Sequence, residues 1–583
     1  MTRRLLAISL LAAAASGLFL PGVRAGVQPA GARRPNIVYI LLDDNGFSDT
    51  APYGSEINTP NIARLANEGI RYRAFENRAL CSPTRAALLT GRNSFTVGMA
   101  GLATTDLNVP HTRGIITPAA ATVAQVLKAS GYHTIAAGKW HLIPAAQQAD
   151  SYPDRVNWPT GKGFDDFYGW LIGWTDQWNP TGVGREMILG DHPDPTPRPG
   201  GYHVSEAIVT HAIDFIRKGF DANPKRPQFL YLAFGATHYA VQAPKAYIDR
   251  YKDAYDKGWD AIREERFARQ KAMGIIPKDA VLTPRDPSIP AWETLTPTQK
   301  KVFARYMAVY AGFLEHADAQ IGRLIEYLKA AGQYDNTAIF FMSDNGPTIE
   351  GGPNGRFALQ SPVSTVDQML EHLDEIGGPS SSPTYPRGWT AASAAPFAKW
   401  KNTLYAGGVR APLIVSWPGA IRDRGAIRDQ FVEMQDITPT ALDIAGIKPP
   451  DDVNGVKQLP MAGRSIRATF TDSRARTRDT QILLLGTSRA IRSKGWKAVS
   501  THKPGTSFES DTWALFHTDE DYSEAKDVAA QYPDKLKQLQ ALWQSEAERL
   551  GALPLVEGRG RGAEGNSEAA EMRWFLRGRH GNR

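Results

Sequence analysis

The strongest constraint on the fold is a pattern that recurs through about the first 420 residues: a short apolar run that stops abruptly at polar residues. In NIVYILLDD the stretch from Asn36 to Leu42 reads as a strand buried on both faces, with Asp43 and Asp44 at its carboxyl end. GYHTIAAGKWH sets Lys139 and His141 at the end of a second such run, QFLYLAFGATH does the same for His238, and TAIFFMSDN for Asp344 and Asn345. Between the runs lie helices: Tyr306, Tyr310, Phe313, Ala317, Ile321, Leu324, Ile325 and Leu328 trace one apolar face at helical period. Strands and helices alternating in this way predict an α/β fold, a large mixed and mostly parallel sheet sandwiched by helices. Such sheets bind ligands beyond the carboxyl ends of their strands, so polar groups far apart in sequence converge there.

A chain of 583 residues with 42% hydrophobic and 22% charged residues has the composition of a soluble globular protein, which excludes a disordered chain and a polytopic membrane protein. The formal charge of +7 owes three arginines to the leader and a surplus of arginine over glutamate to the last residues. The remaining core is near neutral and gives no reason to invoke nucleic acid. Residues 1–25 read as a signal peptide: a basic start, an apolar run from Leu5 to Leu20 too short to span a membrane, and a small-residue cleavage pattern ending at Ala25. TRRLL also resembles a twin-arginine export signal. No cysteine follows the apolar run, so no lipoprotein anchor forms; the expected location is the bacterial periplasm or the medium, without a stable membrane anchor.

Residues 35–449 read as the large domain that carries these strand ends, in which Glu350 to Phe397, rich in Gly, Pro, Ser and Thr, has the length of a functional lid. Residues 450–556 read as a smaller α+β domain, with a hairpin of short strands in QILLLGTSRAIRSKGWKAVS and a closing helix in PDKLKQLQALWQSEAERLG. The tail, 557–583, has few apolar residues and reads as disordered.

CSPTRAALLTGR, Cys81 to Arg92, holds the only cysteine of the chain, so no intramolecular disulfide exists. Pro83 suits the first turn of a helix, where its missing N–H costs nothing, and AALLTGR continues that helix with Arg92 near its end. Cys81 then stands at the helix N-terminus, where free N–H groups favour an anion, with Arg85 one turn along. A lone buried cysteine is more often a small hydrophobe. The motifs around this one reverse that reading.

ALCSPTRAALLTG resembles the sulfatase signature built on CxPxR, and GYHTIAAGKWH resembles the second sulfatase signature, at the usual distance from the first. The paired aspartates, THYAVQAP around His238, SDNG at 343–346 and a lysine ahead of two glycines at 401–408 follow in the expected order. The resemblance covers roughly residues 35 to 550 and is nearest to the bacterial arylsulfatases of the alkaline phosphatase superfamily. It implies an alkaline phosphatase-like sheet and a sulfuric ester hydrolase acting on a small-molecule or glycan sulfate. It also implies that a formylglycine-generating enzyme oxidises Cys81 to formylglycine, an aldehyde. Lys139, Lys401 and Arg85 are carried over as cations around the sulfate, His238 as the acid that meets the leaving alcohol, and His141 as the base that drives sulfate release.

Chemistry gives the aldehyde a purpose. A serine or cysteine attacking sulfur would leave a stable sulfated enzyme. One hydroxyl of a hydrated aldehyde attacks sulfur, and the second then loses its proton, breaks the C–O bond and expels sulfate, restoring the aldehyde. Asp43, Asp44, Asp344 and Asn345 offer oxygen ligands, suited to Ca²⁺ or Mg²⁺ and poor for Zn²⁺; the resemblance selects one calcium ion.

The chain departs from the family pattern in two places. Ala406-Gly407-Gly408 replaces the usual EGG, so a capping carboxylate is expected to be missing there, and His316-Ala317 replaces an asparagine. Two other readings stand beside the sulfatase: a phosphonate or phosphate ester hydrolase with the same formylglycine, and a binder of sulfated glycans in which Cys81 stays a thiol. The tryptophans at 158, 170, 174, 178 and 389 are candidates for an aromatic or sugar subsite, and His133 is read as structural.

Overall fold

The computed structural model describes residues 33–557. The leader read over residues 1–25, and the tail read from 557 apart from Glu557 itself, lie outside them. Ten strands form the main sheet: β1 (Asn36–Leu42), β2 (Ile70–Tyr72), β3 (His133–Lys139), β4 (Asp166–Trp170), β5 (Ile188–Leu189), β6 (His192–Pro193), β7 (Gln228–Ala233), β8 (Thr337–Ser343), β9 (Leu413–Ser416) and β10 (Ala426–Arg428). Their order is β10-β2-β9-β8-β1-β7-β3-β4-β5-β6. The central five, β8 to β4, run parallel; β9 pairs antiparallel with β8, and the β5–β6 hairpin continues the far edge antiparallel. The predicted mixed, mostly parallel sheet is therefore present.

The apolar runs are continuous because both faces of the sheet are covered. Val38, Ile40 and Leu42 of β1 join one core, and Ile37, Tyr39 and Leu41 join the other, as side chains alternating along a strand must. Among the covering helices are α1 (Cys81–Thr90), α2 (Val204–Ala222) and α3 (Pro297–Ala330). The whole apolar face read from Tyr306 to Leu328 is buried in α3. That helix starts at a capping box, in which Thr296 Oγ1 accepts from Gln299 N and the Gln299 side chain accepts from Thr296 N, with Pro297 in the first turn.

A short helix, α4 (Ala406–Val409), leads into β9. Beyond the main sheet the chain forms a four-stranded antiparallel sheet of β11 (Thr480–Leu485), β12 (Ser488–Ser493), β13 (Trp496–Ser500) and β14 (Trp513–His517), followed by α5 (Pro533–Leu550). The stretch read as one hairpin thus supplies three strands, because the turns at 486–487 and 494–495 are both tight. One face of this sheet buries Ile482, Leu484 and Leu515 against Leu539 and Trp543 of α5. The opposite face, through Leu483, Leu485, Val499 and Phe516, packs on Leu80, Cys81, Leu404 and Val409. The described residues from Arg34 onward belong to one compact unit.

Candidate active site

Each residue singled out at a strand end or on α1 lies buried at the carboxyl edge of the parallel strands, none of them more than 2% exposed. Asp43 and Asp44 follow β1, Asp344 and Asn345 follow β8 beside it, Lys139 is the last residue of β3, and His238 lies beyond β7. The junction is tied by backbone bonds, Asp43 N to Ala236 O at 2.8 Å and Asp344 N to Leu42 O at 3.1 Å. Asp44 and His141 adopt left-handed backbone, φ 55° and 56°, a conformation that costs a side-chain-bearing residue about 1–3 kcal/mol and tends to persist at working sites.

Helix α1 begins at Cys81 itself, with Leu80 extended before it and Pro83 inside the first turn. It ends sooner than the sequence suggested: Gly91, at φ 65°, closes the helix through Gly91 N–H to Ala87 O, and Arg92 lies outside it, its Nε donating to Leu459 O at 2.9 Å. A left-handed glycine satisfies the last carbonyls, which the reading from AALLTGR did not weigh. Cys81 Sγ lies 3.1 Å from His141 Nδ1, and Ser82 Oγ donates to His141 O at 2.8 Å.

The cations and carboxylates interlock. Arg85 donates from Nε and Nη2 to Asp344 Oδ2 at 3.0 and 2.7 Å, and from Nη1 to Lys139 O and Tyr231 Oη at 2.9 and 3.1 Å. Lys139 Nζ reaches Asp43 Oδ2 at 2.6 Å and Lys401 Nζ reaches Asp44 Oδ1 at 2.9 Å. Asn345 Nδ2 donates to the same Asp44 oxygen at 2.6 Å. His238 Nδ1 contacts Tyr239 O at 2.7 Å, which turns Nε2 toward Asp44 Oδ2 at 3.8 Å.

Burying this many charges is poor economy for stability, because desolvation cancels most of the attraction within each pair. The arrangement is better understood through ligands. Asp44 Oδ2, Asp344 Oδ1 and Asn345 Oδ1 are buried acceptors with no hydrogen-bond partner, and Asp43, Asp44 and His238 bring donor atoms within 4.8 Å of one another. Burial, and then Asp43, push the Asp344 carboxyl up to about 7 against the pull of Arg85 and Lys139. Hard acceptor oxygens turned inward fit a divalent cation of the calcium or magnesium kind. Burial opposes the Arg85 charge, yet Tyr231, Asp344 and Asp43 hold its pKa above the ordinary value, so it remains a guanidinium.

Several contributors were not visible in the sequence. Tyr231, inside β7, reads there only as core. Thr237 N donates to Asp43 O at 2.5 Å, and Thr237 Oγ1 donates to Tyr310 Oη, which donates to Asp49 Oδ2, a buttress under the first aspartate. The capping carboxylate expected to be missing at Ala406 comes instead from Glu524, whose Oε2 accepts from Ala406 N at 2.8 Å. His316 is buried and bonded to Glu206 Oε1 at 2.9 Å. Of the tryptophans, Trp158, Trp170 and Trp389 are core; Trp174 and Trp178 are half-buried on the segment after β4, with Trp174 edge-on to Tyr239 at 4.8 Å. His133 bonds Asp166 Oδ2 at 2.6 Å, a structural tie.

The chain matches the sulfatase family over residues 35–447, and the C-terminal region of N-sulphoglucosamine sulphohydrolase over residues 398–550. It is 33% identical over 543 residues to an uncharacterized sulfatase of Schizosaccharomyces pombe, covering 88% of this chain and 94% of the relative. Against an arylsulfatase of Klebsiella aerogenes the identity is 34% over 468 residues, 78% of this chain and 96% of the relative. The crystal structure of Ps i-CgsB in complex with k-i-k-neocarrahexaose shares the fold at a TM-score of 0.63 and 23% identity, covering 93% of this chain and 99% of that one. The chain belongs to the sulfatase family, with an alkaline phosphatase-like fold, and its class of reaction is the hydrolysis of a sulfuric ester.

Proposed function

We propose that the protein hydrolyses an aryl or carbohydrate sulfate monoester to the free alcohol and inorganic sulfate, with Cys81, oxidised to formylglycine, as its nucleophile. The observation that carries this reading is the position of Cys81: at the first residue of α1, in contact with His141, beside three buried cations interleaved with inward-facing carboxylate oxygens. Asp43, Asp44, Asp344 and Asn345 would hold calcium, with magnesium the second choice. Such an ion would polarise a sulfate oxygen and make the attacking hydroxyl more acidic.

Lys139, Lys401 and Arg85 neutralise charge on the non-bridging oxygens as attack on sulfur proceeds. His238, whose Nε2 lies 3.8 Å from Asp44 Oδ2, gives a proton to the departing oxygen as the sulfur–oxygen bond breaks. His141 takes the proton from the second hydroxyl of the hydrated aldehyde; the carbon–oxygen bond to sulfate then breaks and the aldehyde returns. Half-buried Trp174, edge-on to Tyr239 next to His238, supplies aromatic surface for the alcohol portion. The basic and apolar leader supports export, and among the described residues no helix is long and apolar enough to cross a membrane.

Turnover of 4-nitrophenyl sulfate measured beside a phenylphosphonate ester tests the assignment. Faster sulfate cleavage is expected, and much faster phosphonate cleavage would overturn it in favour of the related phosphonate hydrolases. A second measurement isolates His238. His238→Ala should lower kcat for an alkyl sulfate by roughly 10²- to 10⁴-fold, the usual worth of a positioned acid. The same change should cost far less with 4-nitrophenyl sulfate, whose leaving group needs no proton. Equal losses on both esters would assign His238 a different role.

A further inference from the structure

Lys401 rides on a tight loop that touches both halves of the site. Lys401 N donates to Pro347 O at 3.0 Å and Asn402 N to Ala79 O at 2.9 Å, so the loop spans from the segment after Asn345 to the segment before Cys81. At its far end Gly346 N donates to Gly408 O at 3.0 Å and Asn77 N to Val409 O at 2.8 Å. Backbone packs on backbone here: a Cβ at Gly407 would lie 2.2 Å from Lys399 O, and one at Gly408 would lie 2.0 Å from Thr403 O. Lys399 and Asn402 both take left-handed backbone, each at φ 68°. Beyond these backbone bonds the loop is also held from outside.

One such support is a buried side chain from the segment between β14 and α5, tied to the C-terminal sheet through Lys497. Glu524 is 6% exposed, with left-handed backbone at φ 54°. Its Oε2 accepts from Ala406 N at 2.8 Å, and its Oε1 accepts from Lys497 Nζ, on β13, at 2.7 Å. Lys497 in turn lies 3.9 Å from Glu76 Oε1, and Arg410, just beyond α4, donates to that same oxygen at 3.0 Å. Burial pushes the Glu76 carboxyl up, but Lys497, Arg410 and Arg492 outweigh it and keep the carboxyl below its usual range. The chain of contacts closes on both flanks of the loop. Leu404 and Val409 of the same loop also lie against the sheet face formed by Leu483, Leu485 and Phe516.

We propose that Glu524 is a positioning residue for hydrolysis: by fixing Ala406 it sets the loop that aims Lys401 at Asp44 and the sulfate, so the C-terminal sheet is a working part of the active site. The inference rests on the proposed role of Lys401, and its structural half stands without that role.

The test compares Glu524→Ala and the near-isosteric Glu524→Gln, which keeps an acceptor for Ala406 N–H, with Leu539→Ala, which opens the core under α5 away from the loop. Kinetics on 4-nitrophenyl sulfate should show kcat down roughly 10- to 100-fold in Glu524→Ala, the size expected when a catalytic group is misplaced by about an ångström. Glu524→Gln should lose less, and Leu539→Ala should keep wild-type kcat below its own unfolding temperature. Amide hydrogen exchange across 399–409 should rise in Glu524→Ala and not in Leu539→Ala, a readout independent of any substrate. Unchanged exchange and kcat in Glu524→Ala, or equal kcat losses in Glu524→Ala and Leu539→Ala, would overturn the positioning role. A wild type inert toward the sulfate ester, with exchange rising as expected, would instead refute the role given to Lys401.

Discussion

Cys81→Ala is expected to abolish turnover of 4-nitrophenyl sulfate, by a factor on the order of 10⁴ to 10⁶, the loss that follows removal of a covalent nucleophile. The fold should survive, since the change removes a single side-chain heavy atom from a helix whose remaining residues are also buried. Cys81→Ser is the more informative variant. Serine can attack sulfur, but it has no second hydroxyl on the same carbon, so it should react once and stall as a stable sulfate ester visible by mass spectrometry. The peptide containing Cys81 from active wild-type protein should be lighter by about 18 Da than its sequence mass, sulfur and two hydrogens having been exchanged for one oxygen. An unmodified thiol in fully active protein would falsify the aldehyde mechanism.

The second large effect concerns the cation. Removal of divalent ions with EDTA should silence the enzyme, and calcium should restore it better than magnesium does. The physical basis is the set of buried oxygens of Asp44, Asp344 and Asn345 that no protein donor satisfies. A ligand that binds only the folded state also stabilises it, by about 2.7 kcal/mol at a hundred times its dissociation constant, so calcium should raise the unfolding temperature of chelated protein. Asp44→Asn keeps the shape and one oxygen but removes charge from the group that faces both Lys401 and His238. Both the thermal shift and the activity should fall together in that variant. Full activity in EDTA, with no thermal response to calcium, would remove the metal from the mechanism.

The sheet and the positions of most candidate site residues could be read in advance because the same physics writes both into short words. A strand buried on both faces needs an unbroken apolar run, and polar groups stand where that run stops; β1 with Asp43 and Asp44, and β8 with Asp344 and Asn345, follow this rule to the residue. Partnerships were not legible. Arg85 could be placed on α1, but its bonds to Asp344, which lies 259 residues away, depend on how the sheet is ordered. Helix α1 was drawn too long because Gly91 was read as part of a word and not as a stop. Glu524 was the least visible, a glutamate in a polar stretch with no periodicity. The only hint was a deficit, the alanine at 406 where a carboxylate is usual, and a deficit does not say where its remedy lies.

The sheet that lies over Cys81 also imposes an order in time. Asp43 and Cys81 leave the ribosome early, whereas Leu483, Leu485, Phe516 and Glu524 emerge near the end of synthesis. Until they do, Cys81 lacks the part of its cover that Leu483, Leu485, Val499 and Phe516 supply. If Cys81 is oxidised as proposed, a modifying enzyme would meet it with less cover before the C-terminal sheet is synthesised than after.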